Sequence, residues 1–204
     1  MSLEFNRRSF LKYSAAAAVA VAGSSLLVGC GEDEYQKTGK IGSTLKLMGT
    51  FKTYKSTDTS NAGKAPAYDS ANQKFTCTVN IKCTTKKVPL YVTNECFELT
   101  VTHDKTEKNY AKQYITITDP EFDLKESEDA KDFKLTITGV TIADGDKVEL
   151  KYWPRIQASS GNSGYTRAFC TWKMVAKAGT SGSGIVLELS LIHISEPTRL
   201  QLIS

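Results

Sequence analysis

The chain has 204 residues, of which 40% are hydrophobic, 9% aromatic and 24% charged, with a formal net charge of +4 and five cysteines. That much apolar side chain excludes a disordered tail, a collagen-like repeat and a multi-span membrane protein, and the length suits one ordinary domain or two small ones. Setting aside the charges of both termini (Glu4, Arg7, Arg8, Lys12, Glu196 and Arg199) leaves a nearly neutral remainder, with no electrostatic footprint for nucleic acid.

The chain opens with a cationic start (Arg7, Arg8, Lys12), an apolar stretch of roughly fourteen residues from Ala15, and small residues before Cys30. That succession is an export signal. The apolar run falls short of the roughly 20 residues of a spanning helix and is diluted by Gly23, Ser24 and Ser25. The run Arg7-Arg8-Ser9-Phe10-Leu11-Lys12 resembles the twin-arginine translocation signature, with Asn6 where that family usually has Ser or Thr. The resemblance implies a twin-arginine translocase as export partner and a cargo carried folded. Leu27-Val28-Gly29-Cys30 is similar to the lipobox of bacterial lipoproteins. This second resemblance implies that lipoprotein-processing enzymes attach a diacylglycerol to the Cys30 thiol and cleave before it. Two acyl chains, at about 0.8 kcal/mol per buried CH2, give stable membrane anchoring where one is marginal. The expected organisation is a cleaved N-terminal signal helix over residues 1–29, a polar tether over 30–42 and a domain over 43–188.

Within that domain the dominant period is two. Phe75, Cys77, Val79, Ile81 and Cys83 alternate with Thr76, Thr78, Asn80 and Lys82, which predicts a half-buried strand. The same alternation predicts strands at Phe97-Leu99-Val101, Ile115-Ile117, Phe133-Leu135-Ile137, Val148-Leu150-Tyr152 and Ala168-Cys170-Trp172-Met174. Threonine-rich outer faces suit a pleated surface. Polar turns separate the runs at Thr84-Lys87, Asp104-Lys108, Asp144-Gly145 and Ser159-Gly164, and Pro120-Asp132 reads as a loop. Crossover helices are absent, so parallel βαβ folds drop out. An all-β, antiparallel sandwich of about seven or eight strands remains. Leu135-Thr136-Ile137-Thr138-Gly139-Val140 followed by Asp144-Gly145-Asp146 resembles a strand-turn-strand passage of immunoglobulin-like domains, with Val148 and Leu150 in place of the usual tyrosine and cysteine. That resemblance implies an immunoglobulin-like sandwich and no activity.

Cys77, Cys83, Cys96 and Cys170 are candidate disulfides, because an exported domain meets conditions in which such bonds persist, and four thiols permit three pairings. Cys77 and Cys83 lie on one predicted strand, roughly 20 Å apart at about 3.3 Å per residue, too far to bridge each other. The expectation is one bond from this strand across to Cys170, near Trp172, and one to Cys96. A thiolate metal site would want close pairs such as C-x2-C, which do not occur, and His103 is the one histidine outside the tail. No metal, cofactor or catalytic residue is therefore expected. His103 reads as a surface residue and Asp119, Glu121 and Asp123 as solvated loop charge. Tyr152-Trp153-Pro154 and Tyr165 flank the Ser159-Gly164 loop, either as a contact surface or, for Trp153, as packing beneath the loop.

The last stretch, Leu189 to Arg199, resembles the frame translation of a transposase-type sequencing adapter, so residues 189–204 are expected to be foreign to the gene and the natural C-terminus to lie beyond about Glu188. The resulting reading is an exported, lipid-anchored cell-envelope protein, not an enzyme, whose sandwich serves binding or surface interaction. The alternatives are a noncatalytic module of a longer surface enzyme, or a metal carrier.

Overall fold

A strand with one buried face needs apolar side chains only at every second residue, and the sandwich is built from such strands. The computed structural model describes residues 35–86, 88–157, 163–165, 167–179 and 184–189. The export-signal residues, Cys30, the tail from Ser190 and most of the Ser159-Gly164 loop lie outside them. In chain order the strands are β1 (Gln36–Lys40), β2 (Thr44–Lys46), β3 (Gly49–Thr53), β4 (Ala67–Asp69), β5 (Lys74–Cys83) and β6 (Leu90–Val92). There follow β7 (Phe97–His103), β8 (Thr106–Tyr110), β9 (Ile115–Ile117), β10 (Phe122–Leu124) and β11 (Lys131–Thr138). The last are β12 (Lys147–Tyr152), β13 (Arg155–Gln157), β14 (Ser163–Tyr165), β15 (Phe169–Ala178) and β16 (Ile185–Leu189). Helical pieces among the described residues are short 3-10 turns, at Thr59–Lys64, Asn94–Cys96 and Lys112–Tyr114.

One sheet has the order β1-β15-β12-β7-β8, with β16 beside the second half of β15; another has the order β2-β3-β5-β11-β9, with β4 beside the start of β5. A small third sheet runs β10-β6-β13-β14. The inner faces of the two large sheets form one core. Phe75, Cys77, Val79, Ile81 and Cys83 of β5 and Phe133, Leu135 and Ile137 of β11 share it with Leu99, Val148, Leu150, Tyr152, Cys170, Trp172 and Met174. Each is at most 2% exposed, so each large aliphatic or aromatic side chain contributes about 1.5–3 kcal/mol of transfer free energy. The Phe51 ring of β3 lies 4.9 Å from the Tyr152 ring of β12. Gly39 of β1 pairs with Trp172, and a Cβ there would meet a Leu45 methyl at 2.8 Å, so glycine lets this edge strand lie close against β2.

The turn between β11 and β12 is held by tyrosines from elsewhere. The Tyr68 hydroxyl donates to the Val140 carbonyl (2.9 Å) and accepts from the Ile142 amide (3.3 Å), while the Tyr110 hydroxyl accepts from the Thr141 amide (3.1 Å). Tyr68 and Tyr110 thus satisfy backbone groups where the sequence puts Val148 and Leu150 just after the turn.

The all-β sandwich expected from the sequence is what forms, with corrections to the number, direction and placement of its strands. Sixteen strands are present among the described residues instead of seven or eight, and β1 runs parallel to β15. Part of the expected tether, Gln36–Lys40, is β1 itself. The polar turn expected at Asp104-Lys108 is mostly β8, and the Pro120-Asp132 loop contains β10. All of these escaped a period-two reading for one reason: short or edge strands draw order from hydrogen bonds to a neighbour, and Gln36–Lys40 and Thr106–Asn109 bury no apolar face of their own.

The disulfides are the largest correction. Cys77, Cys83, Cys96 and Cys170 are all free thiols and all buried. Cys77 stands opposite Leu135 and Cys170 opposite Tyr152, so the cross-strand neighbours on the core face are not cysteines. The Cys83 sulfur lies 3.7 Å from the Thr85 and Val88 carbonyls, and that of Cys96 lies 3.5 Å from the Tyr91 carbonyl.

Candidate functional site

Thr93 begins the site. Its extended backbone (φ −134°) and its hydroxyl, which accepts from the Glu95 amide at 3.1 Å, cap the 3-10 turn Asn94–Cys96. Cys96 anchors that turn in the core, and the two residues before it remain partly exposed. The Asn94 side-chain amide donates to the Lys112 and Ile115 carbonyls, both at 3.3 Å, which ties this turn to the turn Lys112–Tyr114 and to β9. Between these elements, the Tyr91 ring of β6, the Pro120-Glu121 loop and Arg155 of β13 lies a groove of about 450 Å3.

Charge in the groove is organised around Glu95. One carboxylate oxygen accepts from Arg155 Nη1 at 3.0 Å and the other pairs with Lys112 Nζ. The Arg155 guanidinium also lies 5.4 Å from the centre of the Tyr91 ring. The Arg155 and Glu95 side chains are 17% and 28% exposed, so this pair is screened less than an ordinary surface ion pair, whereas Lys112, at 62%, faces solvent. Partial burial pushes the Tyr91 hydroxyl up, Glu121 and Asp123 push the same way, and Arg155 opposes them. The rim carries backbone strain: Asp119 (φ +52°) and Glu121 (φ +63°) flank Pro120 in the left-handed region, at a cost of order 1–3 kcal/mol each.

Of the residues singled out from the sequence, Glu121 lines the groove, Asp119 stands next to it on the rim and Cys96 anchors one of its turns, while the others lie elsewhere. His103 ends β7 with an exposed ring whose Nδ1 is 2.6 Å from Asp146 Oδ1 and whose Nε2 is 3.8 Å from Asp104. The hydrogen bond to Asp146 raises its basicity, helped by the charges of Asp146 and Asp104. Asp146 is itself buried and also accepts from the Ala143 amide at 2.7 Å, so it serves the turn before β12. Asp119 pairs with Lys131 at 2.9 Å. Trp153 packs against Phe169, ring centres 5.8 Å apart, and Tyr152 is wholly buried; the side chain of Tyr165 lies outside the described residues. Among the described residues no group of three or more His, Cys, Asp or Glu side chains is placed to hold a metal ion.

Sequence reasoning passed over Tyr91, Glu95, Lys112 and Arg155. Glu95 and Arg155 are 60 positions apart and belong to no local motif. One signal was available: between residues 43 and 188 the arginines are Arg155 and Arg167, every other basic side chain but His103 being lysine. Arginine is the side chain suited to a part-buried, geometrically fixed carboxylate partner.

A family model for the twin-arginine translocation pathway signal sequence matches residues 4–24. No curated protein and no solved structure matches the chain. The protein is accordingly exported from the cytoplasm and handled by the twin-arginine translocase.

Proposed function

We infer that the exported protein is a noncatalytic binding module, anchored to the cell envelope through lipid on Cys30, which takes a neutral, hydrogen-bonding ligand such as a saccharide chain in the Glu95 groove. The observation carrying the reading is the Glu95 carboxylate held between Arg155 and Lys112 in an open groove. Two cations there are matched by Glu95 and Glu121, so the walls offer donors and acceptors without net charge, which suits a polyhydroxyl ligand better than an ion. The strained turn at Asp119-Pro120-Glu121 supports a site at this rim, since such conformations persist where the surroundings over-determine them. The strand orders β3-β5-β11-β9 and β15-β12-β7 support an immunoglobulin-like sandwich, an architecture that serves many kinds of contact and prescribes none of them. The burial of all four thiols favours binding over catalysis by a cysteine nucleophile.

Titration of the isotopically labelled exported protein with neutral oligosaccharides is expected to shift the amide signals of Thr93–Glu95 and Lys112–Ile117 saturably. Arg155→Ala should weaken that binding about tenfold or more. Shifts produced by small anions instead, or clustered away from the groove, would refute the ligand assignment. Anchoring is tested separately: Cys30→Ala should abolish incorporation of labelled acyl chains and release the protein from the membrane fraction. Continued acyl labelling of that variant would remove Cys30 as the anchor.

A further inference from the structure

An exported protein whose sandwich, among the described residues, holds four cysteines and no disulfide raises the question of how those thiols survive the journey. Cys77, Cys83, Cys96 and Cys170 are each between 0 and 2% exposed. They come from β5, the turn Asn94–Cys96 and β15, segments that meet only in the finished sandwich. Three of them, Cys96, Cys170 and Cys83, lie near enough to the buried Tyr152 hydroxyl to push it further up, beyond the effect of burial. In the folded state thiol chemistry is blocked on two counts. The sulfurs are out of reach of an external oxidant, and burial disfavours the thiolate, pushing the Cys170 thiol up to about 12 and those of Cys77 and Cys96 above their usual range.

The unfolded chain has neither protection. Loop closure favours bonds between cysteines close in sequence, above all Cys77 with Cys83, six positions apart, and then Cys83 with Cys96. A Cys77–Cys83 bond is incompatible with the fold. Both residues lie in β5, extended over Lys74–Cys83, so their Cα atoms stand roughly 20 Å apart, against about 7 Å at most for a disulfide. The easiest oxidation product of the unfolded chain therefore prevents the central strand of one large sheet from forming.

We propose that this domain closes its core with all four thiols reduced before it crosses the membrane, and that it depends on the twin-arginine route because the unfolded chain would be trapped by oxidation on the far side. The trapping step is a thiol–disulfide exchange with a disulfide oxidant such as oxidised glutathione. Two protein thiols give up two protons and two electrons to form one S–S bond, and the oxidant's own S–S bond is cleaved to two thiols. The inference stands apart from the groove and from lipid on Cys30, resting on the export signal at residues 4–24 and the buried thiols alone.

The test uses the wild-type exported protein, so no variant has to fold. Kept native with oxidised glutathione, it is expected to retain four unreacted thiols at Cys77, Cys83, Cys96 and Cys170, counted by alkylation and mass after denaturation. Denatured and reduced, then refolded in the same oxidant, it should give about tenfold less native monomer than when refolded in reductant, with Cys77–Cys83 peptides among the products. Equal refolding yield under both conditions, or ready formation of a disulfide in the native protein, would overturn the proposal. A second measurement exchanges residues 1–29 for a leader that exports unfolded chains. Cross-linked, non-native protein outside the cytoplasm is expected, and native, fully reduced protein reached by that route would overturn the dependence on twin-arginine export.

Discussion

Replacing Arg7 and Arg8 together by lysine is expected to leave the protein in the cytoplasm as a full-length precursor. The exchange keeps both positive charges, so any effect of simple attraction to an anionic membrane surface is preserved. What is lost is the guanidinium itself, planar and able to offer paired donors to a carboxylate, where an ammonium offers a point charge. Both residues lie inside the segment, residues 4–24, that matches the twin-arginine signal. Cell fractionation with detection of precursor and processed forms reads the result. Processed protein outside the cytoplasm at the wild-type level would show that export proceeds by another route.

Trp172→Ala should cost about 3–5 kcal/mol of stability, a large part of the roughly 5–15 kcal/mol that holds a domain of this kind together. Trp172 sits mid-way along β15, paired with Gly39 of β1 on one side and Leu150 of β12 on the other, with no exposed surface. Its indole N–H donates to the Ser43 carbonyl at 3.1 Å, fastening the segment after β1 to the core. Alanine removes the ring, leaves a cavity between two close-packed layers and orphans that carbonyl. Urea unfolding is the measurement: the midpoint should fall steeply with little change in the slope. A loss below about 1 kcal/mol would mean that the ring does not fill the space assigned to it.

How much could be read in advance depended on whether a residue's role is local. β5, β7, β11, β12 and β15 were legible because each buries one face, and burial on one face writes an alternation into the strand. β8 carries Thr106-Glu107-Lys108-Asn109 outward and only Tyr110 inward, and as an edge strand it gains from charge that discourages pairing with other chains. Nothing in such a segment distinguishes strand from loop until its neighbour is known. Tyr68 and Tyr110, which fasten the turn before β12, likewise approach it from β4 and β8.

By itself the sequence determined the export route, through adjacent arginines ahead of an apolar run, and the all-β class, through a period of two. Both are properties of contiguous residues, read by a translocase or by a neighbouring strand in the order in which they are written. Only the tertiary structure decided the state of the cysteines and the make-up of the groove. Whether Cys77, Cys83, Cys96 and Cys170 bridge depends on distances across the layers, and the union of Glu95, Lys112 and Arg155 depends on chain crossings that bring residues 60 positions apart within 3.0 Å. Spacing along a chain constrains distance along one strand, and it leaves distance between strands to be settled by packing.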